Sequence, residues 1–132
     1  MKLMVVDDSQ TMIRILGTAA KKVIKDLELF VCYNGQEALD CVKENPDMDL
    51  ILLDVNMPVM NGKEFLKALR SDSQFDAVKV VMQTTESAKK EIKEIIELGI
   101  SGYLIKPYQT KKVIDFMTQL APVVGYETME DE

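Results

Sequence analysis

Five short apolar runs, each followed by a stretch of helical period, constrain this chain more than any other feature. Residues 3–6, 29–33, 50–53, 78–82 and 103–105 are compact and rich in Val, Ile, Leu, Phe and Tyr. Runs this short read as strands, and the lack of polar alternation within them means both faces are covered. Between them, Ile13, Leu16, Ala20, Val23 and Ile24 recur at helical spacing. Ala38, Cys41 and Val42 do so before Asn45-Pro46, where proline disfavours continuation. Phe65, Leu66 and Leu69 mark a third helix over 63–70. Ile92, Ile95 and Ile96 share one face of a fourth over 87–98, with Gly99 as its C-terminal glycine. Val113, Phe116, Met117 and Leu120 form the buried stripe of the fifth. Strict strand–helix alternation predicts an α/β fold, a five-stranded parallel sheet doubly wound with helices on both faces.

At 132 residues, one such unit can bury roughly two-thirds of the surface its unfolded chain exposes. It is predicted to span residues 1–122, with an acidic, mobile tail at 123–132. The tail carries four acids and no basic residue after Gly125. The net charge of −6 sets the chain against nucleic acid and anionic membrane, and favours a cation or a basic protein patch. No run approaches membrane-spanning length and no signal peptide is legible, so a soluble cytoplasmic monomer is expected. Cys32 and Cys41 read as small hydrophobes in a reducing compartment. The chain has no histidine. Ser/His/Asp and Cys/His catalysis, histidine-held metals and phosphohistidine on this chain are therefore excluded.

Ligands of open parallel sheets bind beyond the carboxyl ends of the strands. Polar residues collect at four of those ends: Asp7-Asp8; Asp54 with Asn56; Thr84-Thr85; Lys106 before Pro107. Taken singly, each has a plain alternative. Asp7-Asp8 can cap a helix, Asp54 can open the turn that Pro58 and Asn61-Gly62 complete, a threonine can cap the fourth helix, and Lys106 can be a surface lysine. Their common edge favours a site. Carboxylates brought together repel and raise one another's pKa, and a hard cation removes the conflict. Oxygen ligands without histidine or cysteine suit Mg²⁺. A carboxylate, a lysine, a hydroxyl and Mg²⁺ in one cleft are the parts of phosphoryl transfer.

The motifs Met-Val-Val-Asp-Asp (4–8), Leu-Leu-Asp-Val-Asn-Met-Pro (52–58) with Asn61-Gly62, Thr84-Thr85-Glu86, and Gly-Tyr-Leu-Ile-Lys-Pro-Tyr (102–108) occur in order, each at a strand end. With them the chain resembles the receiver domain of bacterial two-component response regulators, particularly the stand-alone chemotaxis type. The resemblance covers about residues 2–120. It implies the flavodoxin-like (βα)5 fold with strand order 2-1-3-4-5, which the apolar runs alone leave open; the chemotaxis regulators are themselves a standard instance of that order. It implies that Asp54 is the phosphoacceptor, taking its phosphoryl group from a histidine kinase. Asp8, Asp54 and the Asn56 carbonyl would hold Mg²⁺ directly, and Asp7 through water. Thr84 would be the switch hydroxyl, Lys106 the lysine on the phosphoryl group with a cis bond to Pro107, and Tyr103 the aromatic that turns inward when Thr84 moves. The fourth helix, fifth strand and fifth helix would form the output face. Its target is a downstream protein, by analogy the flagellar motor switch.

Three positions depart from the family pattern. Thr85 stands where a smaller residue is usual, and its bulk is expected to narrow the approach to Asp54. Gln83 is polar where an apolar residue is usual and is read as marking the strand's end. Tyr108 replaces a commoner phenylalanine. Asn56 and Glu86 flank the site and are expected, with Thr85, to tune the lifetime of the acyl phosphate. Rival readings are a phosphorelay intermediate, an aspartate-nucleophile magnesium phosphatase, and a flavin binder. Asn56 cannot act as the phosphatase's general acid, and the acidic first loop repels a flavin phosphate.

Overall fold

The computed structural model describes residues 1–85, 90–106 and 109–120. In chain order these form β1 (Lys2–Val6), α1 (Gln10–Val23), β2 (Glu28–Cys32), α2 (Gly35–Glu44), β3 (Leu50–Asp54), α3 (Gly62–Arg70), a 3₁₀ turn (Ser73–Phe75), β4 (Lys79–Thr85), α4 (Ile92–Leu98), β5 (Gly102–Lys106) and α5 (Thr110–Leu120). The strands make one parallel sheet in the order β2-β1-β3-β4-β5. Every residue of β3 is buried, as its unbroken apolar run requires.

Successive side chains of a strand point to opposite faces, and the sheet therefore serves two cores. Met4, Val6, Ile51, Leu53, Val80 and Met82 pack with Ala38 and Val42 of α2, Phe65, Leu66 and Leu69 of α3, and Ile95 of α4. Leu3, Val5, Leu50, Leu52, Val81 and Leu104 pack with Leu16, Ala20 and Val23 of α1 and with Val113 and Met117 of α5. Burying one such side chain is worth about 1.5–3 kcal/mol.

Local chemistry fixes where the helices start and stop. The Ser9 hydroxyl accepts from the Met12 N–H (3.3 Å), and the Asn34 side-chain Oδ1 from the Glu37 N–H (2.9 Å). Asn61 and Glu64 cap α3 reciprocally, at 2.9 and 3.0 Å. At the end of α4, Gly99 takes φ 108°, a left-handed conformation that disfavours any side chain.

Four expectations need correction or completion. β4 runs to Thr85, so Gln83 does not end the strand; it lies inside it, buried between Asp54 of β3 and Leu104 of β5. Both neighbours continue to that level, and their ladder bonds carry the polar residue along. Ile96 is 50% exposed, because the core-facing side of this seven-residue helix is taken by Ile92 and Ile95, with Leu98 partly buried beside them. Lys90 and Glu91 precede α4 in tighter 3₁₀ geometry. The fourth is the unforeseen 3₁₀ turn, where Phe75 is buried. Residues 86–89, Pro107, Tyr108, the Leu120 side chain and the tail lie outside the described residues.

Arg70 ties several of these parts together. Its Nε donates to the Gly99 carbonyl (3.0 Å), Nη1 to Phe75 O (3.0 Å) and Nη2 to Val78 O (2.8 Å). One planar fork thus satisfies the end of α4, the 3₁₀ turn and the approach to β4. Arg70→Met is expected to destabilise the protein by about 2–4 kcal/mol, since three carbonyls lose a charged donor. Arg70→Lys should recover only part of that loss, the comparison being read from urea unfolding midpoints.

Candidate functional site

β1 and β3 are adjacent and in register, Val6 opposite Leu53. The residues that follow are therefore carried to the same edge. Asp7 is fully buried, Asp54 is 5% exposed, and Asp8 faces solvent. Oxygens of Asp7, Asp8 and Asp54 lie within 4.8 Å of one another. Lys106, at the end of β5, places Nζ 3.4 Å from Asp7 Oδ2 and 3.5 Å from Asp54 Oδ1. Two strand spacings of about 4.8 Å separate β5 from β3, a span that suits a long side chain.

Short-range turns orient the two buried carboxylates. The Ser9 N–H donates to Asp7 Oδ1 (2.9 Å) and the Asn56 N–H to Asp54 Oδ1 (3.4 Å). Each is the local turn that aspartate forms with the backbone two residues on. The loop after Asp54 is folded tightly back. The Gly62 N–H donates to Val55 O (3.0 Å), and the Gly35 N–H to Met60 O (2.8 Å). A Cβ on Gly62 would collide with the Asp54 carbonyl, so glycine is needed for that approach. Between these anchors the Met60 N–H reaches Pro58 O (2.7 Å) across Val59, whose φ is 68°. Such a turn on a β-branched residue is strained, and Val59 is 81% exposed.

The structure thus brings together Asp7, Asp8, Asp54 and Lys106, with Asn56 beside them. Thr84 is buried in β4, and its hydroxyl donates to Thr85 O (3.3 Å). Thr85 is half-buried, level with Lys106. Tyr103 lies 42% exposed on β5, turned outward. Glu86 and the Lys106–Pro107 bond fall outside the described residues. Sequence reading did not separate buried Asp7 from exposed Asp8; the Asp-x-Ser spacing that builds the Asp7 turn was the available signal. Nor did it single out Gly62 as a cradle for Asp54, although Asn61-Gly62 was noted.

The Asp54 carboxyl is pushed up to about 6, first by burial, while Lys106 opposes the rise and Asp7 adds to it. Burial thus outweighs the carboxylate repulsion that the sequence suggested as the main cause. Three clustered carboxylates against one ammonium leave a net negative, oxygen-only pocket. That donor set fits one small hard cation.

A raised carboxyl pKa favours the protonated fold. Stability from this group is complete below about pH 4 and is lost as pH rises through about 6. Asp54→Asn is expected to flatten that decline by about 2 kcal/mol, read from chemical denaturation at stepped pH in metal-free buffer. Lys106→Met, with Asp54 intact, should leave the onset at about pH 4 and extend the decline to higher pH, because the group that opposes the upward shift is gone.

Comparison with known proteins agrees with this geometry. Residues 3–118 match the family model described as the response regulator receiver domain. A chemotaxis protein CheY homolog of Campylobacter jejuni is 36% identical over 108 residues, covering 82% of each chain. The chemotaxis protein CheY1 of Helicobacter pylori is 37% identical over 108 residues, covering 82% of this chain and 86% of its own. The structure of the chemotaxis response regulator CheY4 of Vibrio cholerae superposes with a TM-score of 0.79 at 31% identity, over 90% of this chain and 97% of that one. The chain therefore belongs to the response regulator receiver domain family.

Proposed function

We propose that this protein is a cytoplasmic signalling switch in which Asp54 accepts a phosphoryl group from the phosphohistidine of a kinase in a Mg²⁺-dependent step. The receiver unit is taken as residues 1–122. The observation that carries the reading is the buried Asp54 carboxylate, with Lys106 Nζ 3.5 Å away and Asp7 and Asp8 alongside. Asp8, Asp54 and the Asn56 carbonyl would hold Mg²⁺, and Asp7 would act through water. Bound there, the ion neutralises charge on the transferred oxygens.

Asp54 ionises below neutrality and is then a competent nucleophile. One Oδ forms the new bond to phosphorus, and the bond from phosphorus to the imidazole nitrogen breaks with its electron pair on nitrogen. Lys106 holds Asp54 in line and meets the added negative oxygens. Thr84 lies on the adjacent strand, where its hydroxyl can exchange the Thr85 carbonyl for a phosphoryl oxygen. That exchange differs between the two states and so shifts a population. Tyr103, outward now, would move in as Thr84 is drawn toward the site. The affected surface is α4–β5–α5, where Ile92, Lys93, Ile96, Glu97 and Tyr103 already line a groove. A downstream protein would read it. That the relatives are chemotaxis proteins favours a motor-type target.

Incubation with phosphoramidate and Mg²⁺ should add one phosphoryl group by intact mass; Asp54→Asn and chelator should each abolish it. The same gain in Asp54→Asn would overturn the assignment. Thr85→Ala should speed both acquisition from small donors and hydrolysis several-fold, followed by mass against time. Unchanged rates would remove Thr85 from the tuning set.

A further inference from the structure

Two non-glycine residues among those described take a positive φ, Asp26 at 53° and Val59 at 68°. Aspartate tolerates that conformation, because its short polar side chain can bond locally. Valine does not; its β-branch makes it a steric outlier there. Nor does burial offset the cost, since the Val59 side chain is 81% exposed. Backbone bonds on both sides hold the turn instead. The Met60 N–H crosses it to Pro58 O (2.7 Å), the Gly35 N–H fixes Met60 O (2.8 Å), and the Gly62 N–H closes the neck of the loop on Val55 O (3.0 Å). Strain of this kind persists only where the surroundings over-determine it, and it gathers at sites where it has a use.

The loop tied in this way is the one that carries Asn56. The Asn56 N–H is bonded to Asp54 Oδ1 (3.4 Å), three residues before Val59. Between the two, the ring of Pro58 fixes its φ at about −65°, and Met57 is restricted by the proline that follows it. Little freedom is left between Asn56 and the turn. If Val59 returned to negative φ, the bond across it would open, and the rotation would pass back along Pro58 and Met57 to the Asn56 peptide.

We propose that Val59 is a positioning residue that sets how tightly the site holds Mg²⁺, by governing what share of the metal-free molecules presents the Asn56 carbonyl for coordination. The proposal rests on the reading of that carbonyl as a ligand given above. Left-handed Val59 is the competent state, and relaxed Val59 competes with it. Apparent affinity is reduced by the fraction of molecules that are not competent, and bound metal draws them over. A β-branched residue at position 59 thus weakens Mg²⁺ binding without altering any ligand, and keeps the ion exchangeable.

The exposure of Val59 makes the test clean, because substitutions there leave the core untouched. Mg²⁺ titration calorimetry at neutral pH, where Asp54 is ionised, compares the native chain with three variants. Val59→Asn and Val59→Gly both ease the left-handed conformation, one with a polar side chain and one without. Each should tighten Mg²⁺ binding at least about threefold. Val59→Thr keeps the β-branch and should bind as the native chain does. In ¹⁵N spectra of the metal-free native chain, amides of Asn56, Met57 and Met60 should be broadened by exchange. They should sharpen with saturating Mg²⁺, and be sharp without it in Val59→Asn. Native affinity in both Val59→Asn and Val59→Gly would overturn the proposal, even if their melting points rose, since the strain would then be structural only. Equal tightening in Val59→Thr would overturn it too, by assigning the effect to polarity, as would sharp native amides without metal. A native chain that takes up no Mg²⁺ would instead bring down the metal reading on which the proposal rests.

Discussion

Lys106 supplies one ammonium to two buried carboxylates, Asp7 and Asp54, at 3.4 and 3.5 Å. The rest of the site depends on that unequal match. A buried carboxylate without a partner would take up a proton, and burial does push Asp54 up to about 6. Lys106 pulls in the other direction, which keeps Asp54 ionised at neutral pH. Asp8 adds a third negative charge from the exposed side and has no ammonium of its own among the described ion pairs. The pocket is thus held ready for positive charge while Asp54 stays ionised at neutral pH. Such a site gains most from a ligand that brings a cation.

The sheet makes that arrangement possible. In a parallel sheet all strands end on the same edge, so residues far apart in sequence become neighbours without long loops. Asp7 and Lys106 meet across 99 positions of chain. Central strands must be apolar to be buried twice, and the first place a charge can stand is just past the run. Asp54 occupies the last position of β3, the strand whose residues are all buried. Its environment therefore comes from the fold's core, and its access from the edge.

Much of this was legible in the amino-acid order. The unpatterned runs before Asp7 and Asp54, and the helical spacing of Phe65, Leu66 and Leu69, have few other readings. Strand order was not legible from the runs, since alternation permits several orders; it came from the motif resemblance. The extension of β4 through Gln83 escaped because a polar residue looks like a boundary until its neighbours Asp54 and Leu104 are placed beside it. Ile96 misled for a related reason: spacing identifies a stripe, but a short helix buries only part of one. The role of Arg70 had no local signal at all. Its three acceptors are backbone carbonyls brought near it by tertiary structure, and any residue type could have supplied them.

The two ends of α4 are held very differently. Gly99 is clasped from beneath by the Arg70 fork, half-buried and hydrogen-bonded. Nearer the start, Glu94 meets Lys63 in a pair whose acidic partner is largely in solvent, and exposed pairs of that kind hold weakly. Among the described contacts, the firmer anchor of the helix is thus at Gly99. Loosening the Lys63–Glu94 pair would leave Gly99 still clasped, so any displacement of α4 would be smallest at that end.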